Sequence, residues 1–182
     1  MAKVLVIAEQ RDGKLKKSTF ELVGASAAAG NETHVALLGE GISGLGQELA
    51  SYGAKTVHVA ENSGLKLYNA EAYVSVLEGL SKSLSPDVIL ASHTPTGRDF
   101  MPRLAIRLGV GLASDCVSLG FEGTGVKVRR PVYSGKPTAE VEFLGNGPRM
   151  ATVRANALGI GKPDPSKSAE IVPVPVNLGA MK

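Results

Sequence analysis

Within the eight residues from Ser92 to Asp99 the chain places three hydroxyls, a histidine, an arginine and an aspartate, in the order Ser92-His-Thr-Pro-Thr-Gly-Arg-Asp99. They follow the apolar run Val88 to Ala91 and open directly into a helical pattern. A strand-to-helix junction of this kind sets backbone N–H groups and the positive end of a helix dipole at the carboxyl edge of a sheet, where open α/β folds hold ligands. Ser92, Thr94, Thr96, Gly97, Arg98 and Asp99 are therefore candidates to cradle a phosphate or an adenosine. The same residues can also serve structure alone. Thr94 or Thr96 would then cap the helix, Asp99 would support its first turn, and Arg98 or Arg103 would pair with a surface acid.

A second run, Gly39-Glu-Gly-Ile-Ser-Gly44, matches G-x-G-x-x-G after a strand and before a helix, the dinucleotide-binding spacing. It follows the second strand instead of the first, and an acid some 20 residues on, Glu61, is easily met by chance. The competing reading is a Gly-rich turn with Ser43 as helix cap.

A third cluster is basic: Arg129, Arg130, Tyr133 and Lys136. Side chains alternate along a strand, so Arg130 would share a face with Val132 and Arg129 one with Tyr133. Arg and Tyr are enriched at protein interfaces, whereas a solvated edge strand with gatekeeping charges would use the same residues. Elsewhere the chemistry is sparse. His34 and His58 fall in strand patterns, and His93 lies in the polar turn, where it could titrate near neutrality. Cys116 follows Asp115 without a cationic neighbour in sequence to activate it. No His-x-x-x-His, Cys-x-x-Cys or Gly-x-Ser-x-Gly spacing occurs, so neither a metal site nor a catalytic constellation is expected.

Alternating strand and helix patterns position these residues. Strands are expected at Val4 to Ala8, His34 to Leu38, Thr56 to Ala60 and Val88 to Ala91, and helices at Thr19 to Ala29, Ser43 to Tyr52, Asn69 to Leu84 and Arg98 to Leu108. Such alternation predicts an α/β fold, three layers with a mainly parallel, doubly wound sheet. After Gly109 the texture changes. Cys116 to Phe121, Val126 to Tyr133, Ala139 to Phe143 and Met150 to Val153 are parted by Gly-bearing turns, which predicts antiparallel strands in the last third. The expected division is an α/β domain over 1–160, with its antiparallel extension after about 112, and a Pro-rich tail or linker over 161–182. That tail could hold one edge strand at Ala169 to Val172.

Composition narrows the class. The 182 residues can bury a sizeable core, yet aromatics make up only 4% and Trp is absent, so Val, Leu, Ile and Ala must fill it. A formal charge of +3 with interspersed signs does not give the clustered basic face that nucleic acid requires. One cysteine excludes an internal disulfide framework and fits a reducing compartment. With no leader pattern and no apolar stretch of membrane-spanning length, a cytoplasmic, prokaryotic protein without membrane insertion is expected.

Three strings in register resemble one family. Lys3-Val-Leu-Val-Ile-Ala-Glu9 with Asp12 to Leu22, the Asp87 to Ala105 run, and Arg130-Pro-Val-Tyr-Ser-Gly-Lys136 are similar to the amino-terminal domain of the electron transfer flavoprotein alpha subunit. Thr152-Val-Arg-Ala-Asn156 resembles a further family string, with a structural role expected for Arg154 and Asn156. The resemblance implies a fold like that of the adenine nucleotide alpha hydrolases. It implies a beta-subunit partner joined partly through the strands carrying Arg129, Arg130, Tyr133 and Lys136. FAD would sit mainly on a second domain not found here, with none tightly bound to this chain. The complete protein would carry electrons from acyl-CoA and related dehydrogenases of fatty acid β-oxidation to a membrane quinone reductase, and this domain would be scaffold, not an enzyme. In that family the related beta subunit holds AMP on the turn matching Ser92 to Asp99, while alpha normally holds none there. In isolation the domain could pair with itself. Two other functions stay open: a stand-alone nucleotide-binding or regulatory module using the Ser92 to Asp99 turn, and an oxidoreductase fragment using Gly39 to Gly44.

Overall fold

The computed structural model describes residues 1–135 and 137–178. Seven strands form one wholly parallel sheet: β1 (Lys3–Ile7), β4 (Glu32–Gly39), β5 (Thr56–Glu61), β6 (Val88–Ser92), β7 (Leu112–Cys116), β11 (Arg149–Val153) and β12 (Glu170–Pro173). Their order is β12-β5-β4-β1-β6-β11-β7. β2 (Gln10–Arg11) and β3 (Lys14–Leu15) make a small hairpin, while β8 (Ser118–Glu122), β9 (Gly125–Pro131) and β10 (Thr138–Val141) form a separate antiparallel sheet. The helices are α1 (Lys17–Ala28), α2 (Gly46–Ser51), α3 (Ala70–Leu84) and α4 (Pro95–Leu108).

Strand alternation divides the core into two layers. Val4 and Val6 of β1 face Phe20, Leu22 and Val23 of α1 and Leu49 of α2. Leu5 and Ile7 face Leu77 and Leu80 of α3 and Phe100, Met101 and Leu104 of α4. The chain winds outward from β1 through β4 to β5, then returns to place β6 on the other flank of β1. The direction of winding thus reverses between β1 and β6, where carboxyl ends diverge and leave a crevice.

Two expectations need correction. The Met150 to Val153 run is β11, inserted in parallel between β6 and β7, and not part of the antiparallel sheet. A short apolar run carries no mark of strand direction, which long-range pairing decides. The Cys116 to Phe121 run is two strands in two sheets, with Cys116 buried at the end of β7 and Ser118 starting β8. Asp115 adopts a left-handed φ of 60° just before this break, which redirects the chain. The edge strand is β12, parallel to β5 from Glu170 to Pro173, after which Val174, Val176 and Leu178 pack against the α3 and α4 layer.

Candidate functional site

The crevice between the ends of β1 and β6 is a cleft of about 560 Å³, bounded by Glu9, Lys16, Glu40, Tyr68, Thr96 and Gly97 among others. α4 aims its amino terminus into it. Pro95 stands in the first helical turn, where its missing N–H costs nothing and its φ is already suited. Thr94 caps the helix: its Oγ1 accepts from the Gly97 N–H at 3.1 Å. The helix begins three residues before the Arg98 start read from periodicity, because that reading gave the cap and the proline to the turn.

Ser92, Thr94, Gly97 and Asp99 of the turn have partners within the chain. Ser92 is buried, and its hydroxyl bonds to that of Ser18 on α1 at 2.8 Å. Thr94 donates to the Glu9 carboxylate at 2.7 Å, and Lys16 pairs with the other Glu9 oxygen. Thr96 borders the cleft, and Gly97 lets the helix lie against the Ser92 carbonyl, where a Cβ would stand 2.0 Å from that oxygen. Arg98 is exposed on the first turn. Asp99 accepts from the Tyr68 hydroxyl at 2.8 Å and pairs with Arg103 at 3.2 Å; the Tyr68 hydrogen bond, then Arg103, hold its carboxyl below the usual range. Burial and the neighbouring Asp99 push the Tyr68 hydroxyl well above its ordinary value.

The Gly-rich loop is filled in the same way. Glu61, at the end of β5, accepts from the Gly41 N–H at 3.0 Å with one carboxylate oxygen and from the Ser43 hydroxyl with the other. Ser43 begins a 3₁₀ turn and makes no side-chain cap bond, so its expected role as helix cap is replaced by this contact. At both loops a carboxylate of the chain stands where a phosphate would need unpaired donors. The Gly39 to Gly44 loop therefore does not fit the pyrophosphate of a dinucleotide. Glu9 was missed from sequence because an acid after a first strand carries no motif, although its place at the reversal of winding is a usable signal.

The basic cluster divides. Arg129 points outward from β9 and pairs with Glu140 of β10 at 3.4 Å. Arg130 turns inward on the face of Val126 and Val128, and its buried Nε has no hydrogen-bond partner. β9 ends at Pro131, so strand alternation does not carry on to Val132 and Tyr133. Tyr133 sits in a 3₁₀ turn with φ of 47° and is 85% exposed. Lys136 lies outside the described residues. Arg154 grips Asp115 with two bonds, at 3.0 and 2.7 Å, and the Asn156 N–H donates to Glu21 at 2.9 Å.

The two strand histidines and the thiol are internal. His34 and His58 stack on adjacent strands with Nδ1 of the first 3.0 Å from Nε2 of the second, and burial lowers both values. Burial pushes the Cys116 thiol up to about 11, away from nucleophilic use. Among the described residues no group of three or more His, Cys, Asp or Glu could hold a metal ion, and no helix is long and apolar enough to cross a membrane.

Comparison with known proteins decides the family. The family model described as the electron transfer flavoprotein domain matches residues 4–178. The chain belongs to the electron transfer flavoprotein family. It is 37% identical to the electron transfer flavoprotein subunit alpha of Bacillus subtilis, over 97% of this chain and 54% of that protein. It is also 37% identical to that of Syntrophomonas wolfei, over 88% and 50%. The acryloyl-CoA reductase electron transfer subunit beta of Anaerotignum propionicum is 32% identical over 85% of the chain and 50% of its own length. The chain thus spans about half the length of the curated relatives it matches.

Proposed function

We propose that this chain is the scaffold and subunit-docking portion of an electron transfer flavoprotein alpha subunit, and that it pairs with a beta subunit. The observation that carries the reading is the second sheet, β8 to β10. It stands beside the parallel sheet with its two edges unpaired among the described residues, holds the 85% exposed Tyr133 in the turn between β9 and β10, and carries Arg129 outward. An exposed aromatic next to arginines is the composition of an interface anchor. Arg129, Arg130, Tyr133 and Lys136 are the docking residues in this reading.

FAD, in the complete protein, belongs to the half of the relatives that this chain does not span. The lack of fit of a dinucleotide at the Gly39 to Gly44 loop supports that division. When bound, the flavin supplies the electron-carrying chemistry, and the residues of this chain supply a rigid base and a docking face. Dehydrogenases, acyl-CoA dehydrogenases among them, would be served through the whole complex. The name of the Anaerotignum protein, an acryloyl-CoA reductase electron transfer subunit, is in keeping with such partners.

The test is direct association. The chain should form a 1:1 complex with a beta subunit from the same cells, and Tyr133→Ala should weaken it. Failure to bind, together with saturable AMP binding at the Ser92 to Asp99 turn, would favour a nucleotide-binding module instead.

A further inference from the structure

Between α3 and the segment that runs on from β12 lies an apolar groove of about 490 Å³, which shares no lining residue with the α4 cleft. Val76, Leu80 and Leu84 line it from α3, and Val172 and Val174 from the β12 side. Its walls offer few donors. Pro173 and Pro175 have no N–H, and the Val174 N–H is bonded to the Val59 carbonyl at 2.8 Å. The Ser75 and Ser83 hydroxyls, also on the lining, donate to the Asn177 and Leu80 carbonyls at 3.3 and 3.0 Å. An apolar concavity of this size with a polar atom at a fixed place is the usual form of a small-molecule site.

That polar atom belongs to His58 of β5, which is 8% exposed and lines the groove. A chain of groups fixes what it presents. His34 Nε2 lies 3.3 Å from the Glu32 carboxylate, at ion-pair distance though out of hydrogen-bond alignment, and that negative charge draws the His34 ring proton to Nε2. His34 Nδ1 is then a lone pair, 3.0 Å from His58 Nε2, which must donate to it. His58 Nδ1 is left as an acceptor. Among the described residues it has no hydrogen-bond partner, and it is not among the side-chain atoms sealed from solvent, so it opens on the groove. Burial, then the charge of a protonated His34, hold His58 toward its neutral form; Glu170 of β12 acts on it in the opposite sense, and Lys3 and Lys55 add their charge at His34.

From this geometry we infer that the groove between α3 and β12 binds a small apolar molecule carrying one hydroxyl donor, of the phenol class, with that hydroxyl bonded to His58 Nδ1. The ring of such a molecule lies against Val76, Leu80 and Val174, and its hydroxyl satisfies the lone pair at the end of the Glu32, His34, His58 chain. A carboxylate is the wrong partner there, because Nδ1 has no proton to give and Glu170 adds negative charge. The site goes beyond the scaffold role and does not depend on subunit docking.

The experiment titrates 4-propylphenol into the chain, labelled with nitrogen-15 at histidine, and follows His58 Nδ1 by long-range proton–nitrogen NMR. A saturable shift is expected. The methyl resonances of Val76 and Leu80 report the same binding for ligands that lack the donor. 4-Propylanisole, whose methyl replaces the hydroxyl proton, should bind roughly fivefold more weakly or worse, as loss of one hydrogen bond predicts, and 4-propylbenzoate should also bind more weakly than the phenol. Gly79 lines the groove, and a Cβ there meets nothing within 4 Å, so Gly79→Phe can fill the site without disturbing the fold. That variant should keep its unfolding temperature and lose roughly tenfold or more in affinity; Gly79→Leu repeats the block should the larger ring prevent folding. The inference is overturned by the absence of a saturable shift up to the solubility limit of the phenol, or by equal binding of the anisole. Tighter binding of the benzoate, or full affinity in a folded Gly79 variant, overturns it as well.

Discussion

Replacing Gly97 by alanine tests how tightly α4 is seated at the cleft. The new Cβ would lie 2.0 Å from the Ser92 carbonyl oxygen and 3.2 Å from its carbon. Real Cβ atoms essentially never come within 3.0 Å of a neighbour, so α4 and β6 must part by at least 1.0 Å. Ser92 is 2% exposed and hydrogen-bonded to Ser18, which leaves the carbonyl little room to yield. Forcing atoms into a packed core costs about 1–3 kcal/mol. The same shift stretches the Thr94 cap bond, worth about 1 kcal/mol. Against this, alanine gains up to about 1 kcal/mol of helix propensity over glycine. The sum is a net loss of about 1–3 kcal/mol. Gly79, inside α3, is the control, because a Cβ there meets nothing within 4 Å. Gly79→Ala should stabilise by about 0.5–1 kcal/mol. Urea unfolding followed by far-UV circular dichroism measures both. Equal stability of the two variants would refute the claim that α4 rests on the Ser92 carbonyl.

Other outcomes follow from the same structure. Thr94→Val should cost about 1 kcal/mol by urea unfolding, through loss of the α4 cap. Arg154 holds the Asp115 carboxyl below its ordinary 3.8, so its stabilisation is fully present above that value and is lost as pH falls through the lowered one. Asp115→Asn should therefore flatten the acid limb of a Tm against pH curve. Burial lowers both His34 and His58 from 6.5, so the unfolded chain binds more protons there and stability falls as pH drops below 6.5. The double substitution His34→Leu with His58→Leu should remove that fall, and an unaltered slope would place its origin elsewhere. Cys116, buried with its thiol raised to about 11, should react with a disulfide reagent far more slowly in the native chain than in urea.

What could be read in advance divides along physical lines. The first hundred residues declare themselves because each strand or helix is local, long enough to show its period, and punctuated by Gly30, Gly53 and Gly109. β11 was misassigned because its four expected residues pair with β6 and β7, neither of them its neighbour in sequence. The break between β7 and β8 depends on one backbone angle at Asp115, which composition does not announce. The junction from Ser92 to Asp99 does lead from β6 into α4, although the helix starts at Pro95, and its chemistry was not legible. Whether it offers donors to a ligand depends on Glu9, 85 residues before Thr94, and only the fold brings the two together. Glu61 stands in the same relation to the Gly-rich loop. The spacing matched a dinucleotide site, whereas the carboxylate on the neighbouring strand takes the Gly41 N–H and the Ser43 hydroxyl.

Sedimentation velocity of the chain mixed with a beta subunit from the same cells tests the central claim most directly. The docking account predicts a single faster boundary at 1:1 stoichiometry, with no dependence on added AMP. Two separate boundaries, in a chain that binds AMP when alone, would contradict it and leave the nucleotide module as the function of this fold.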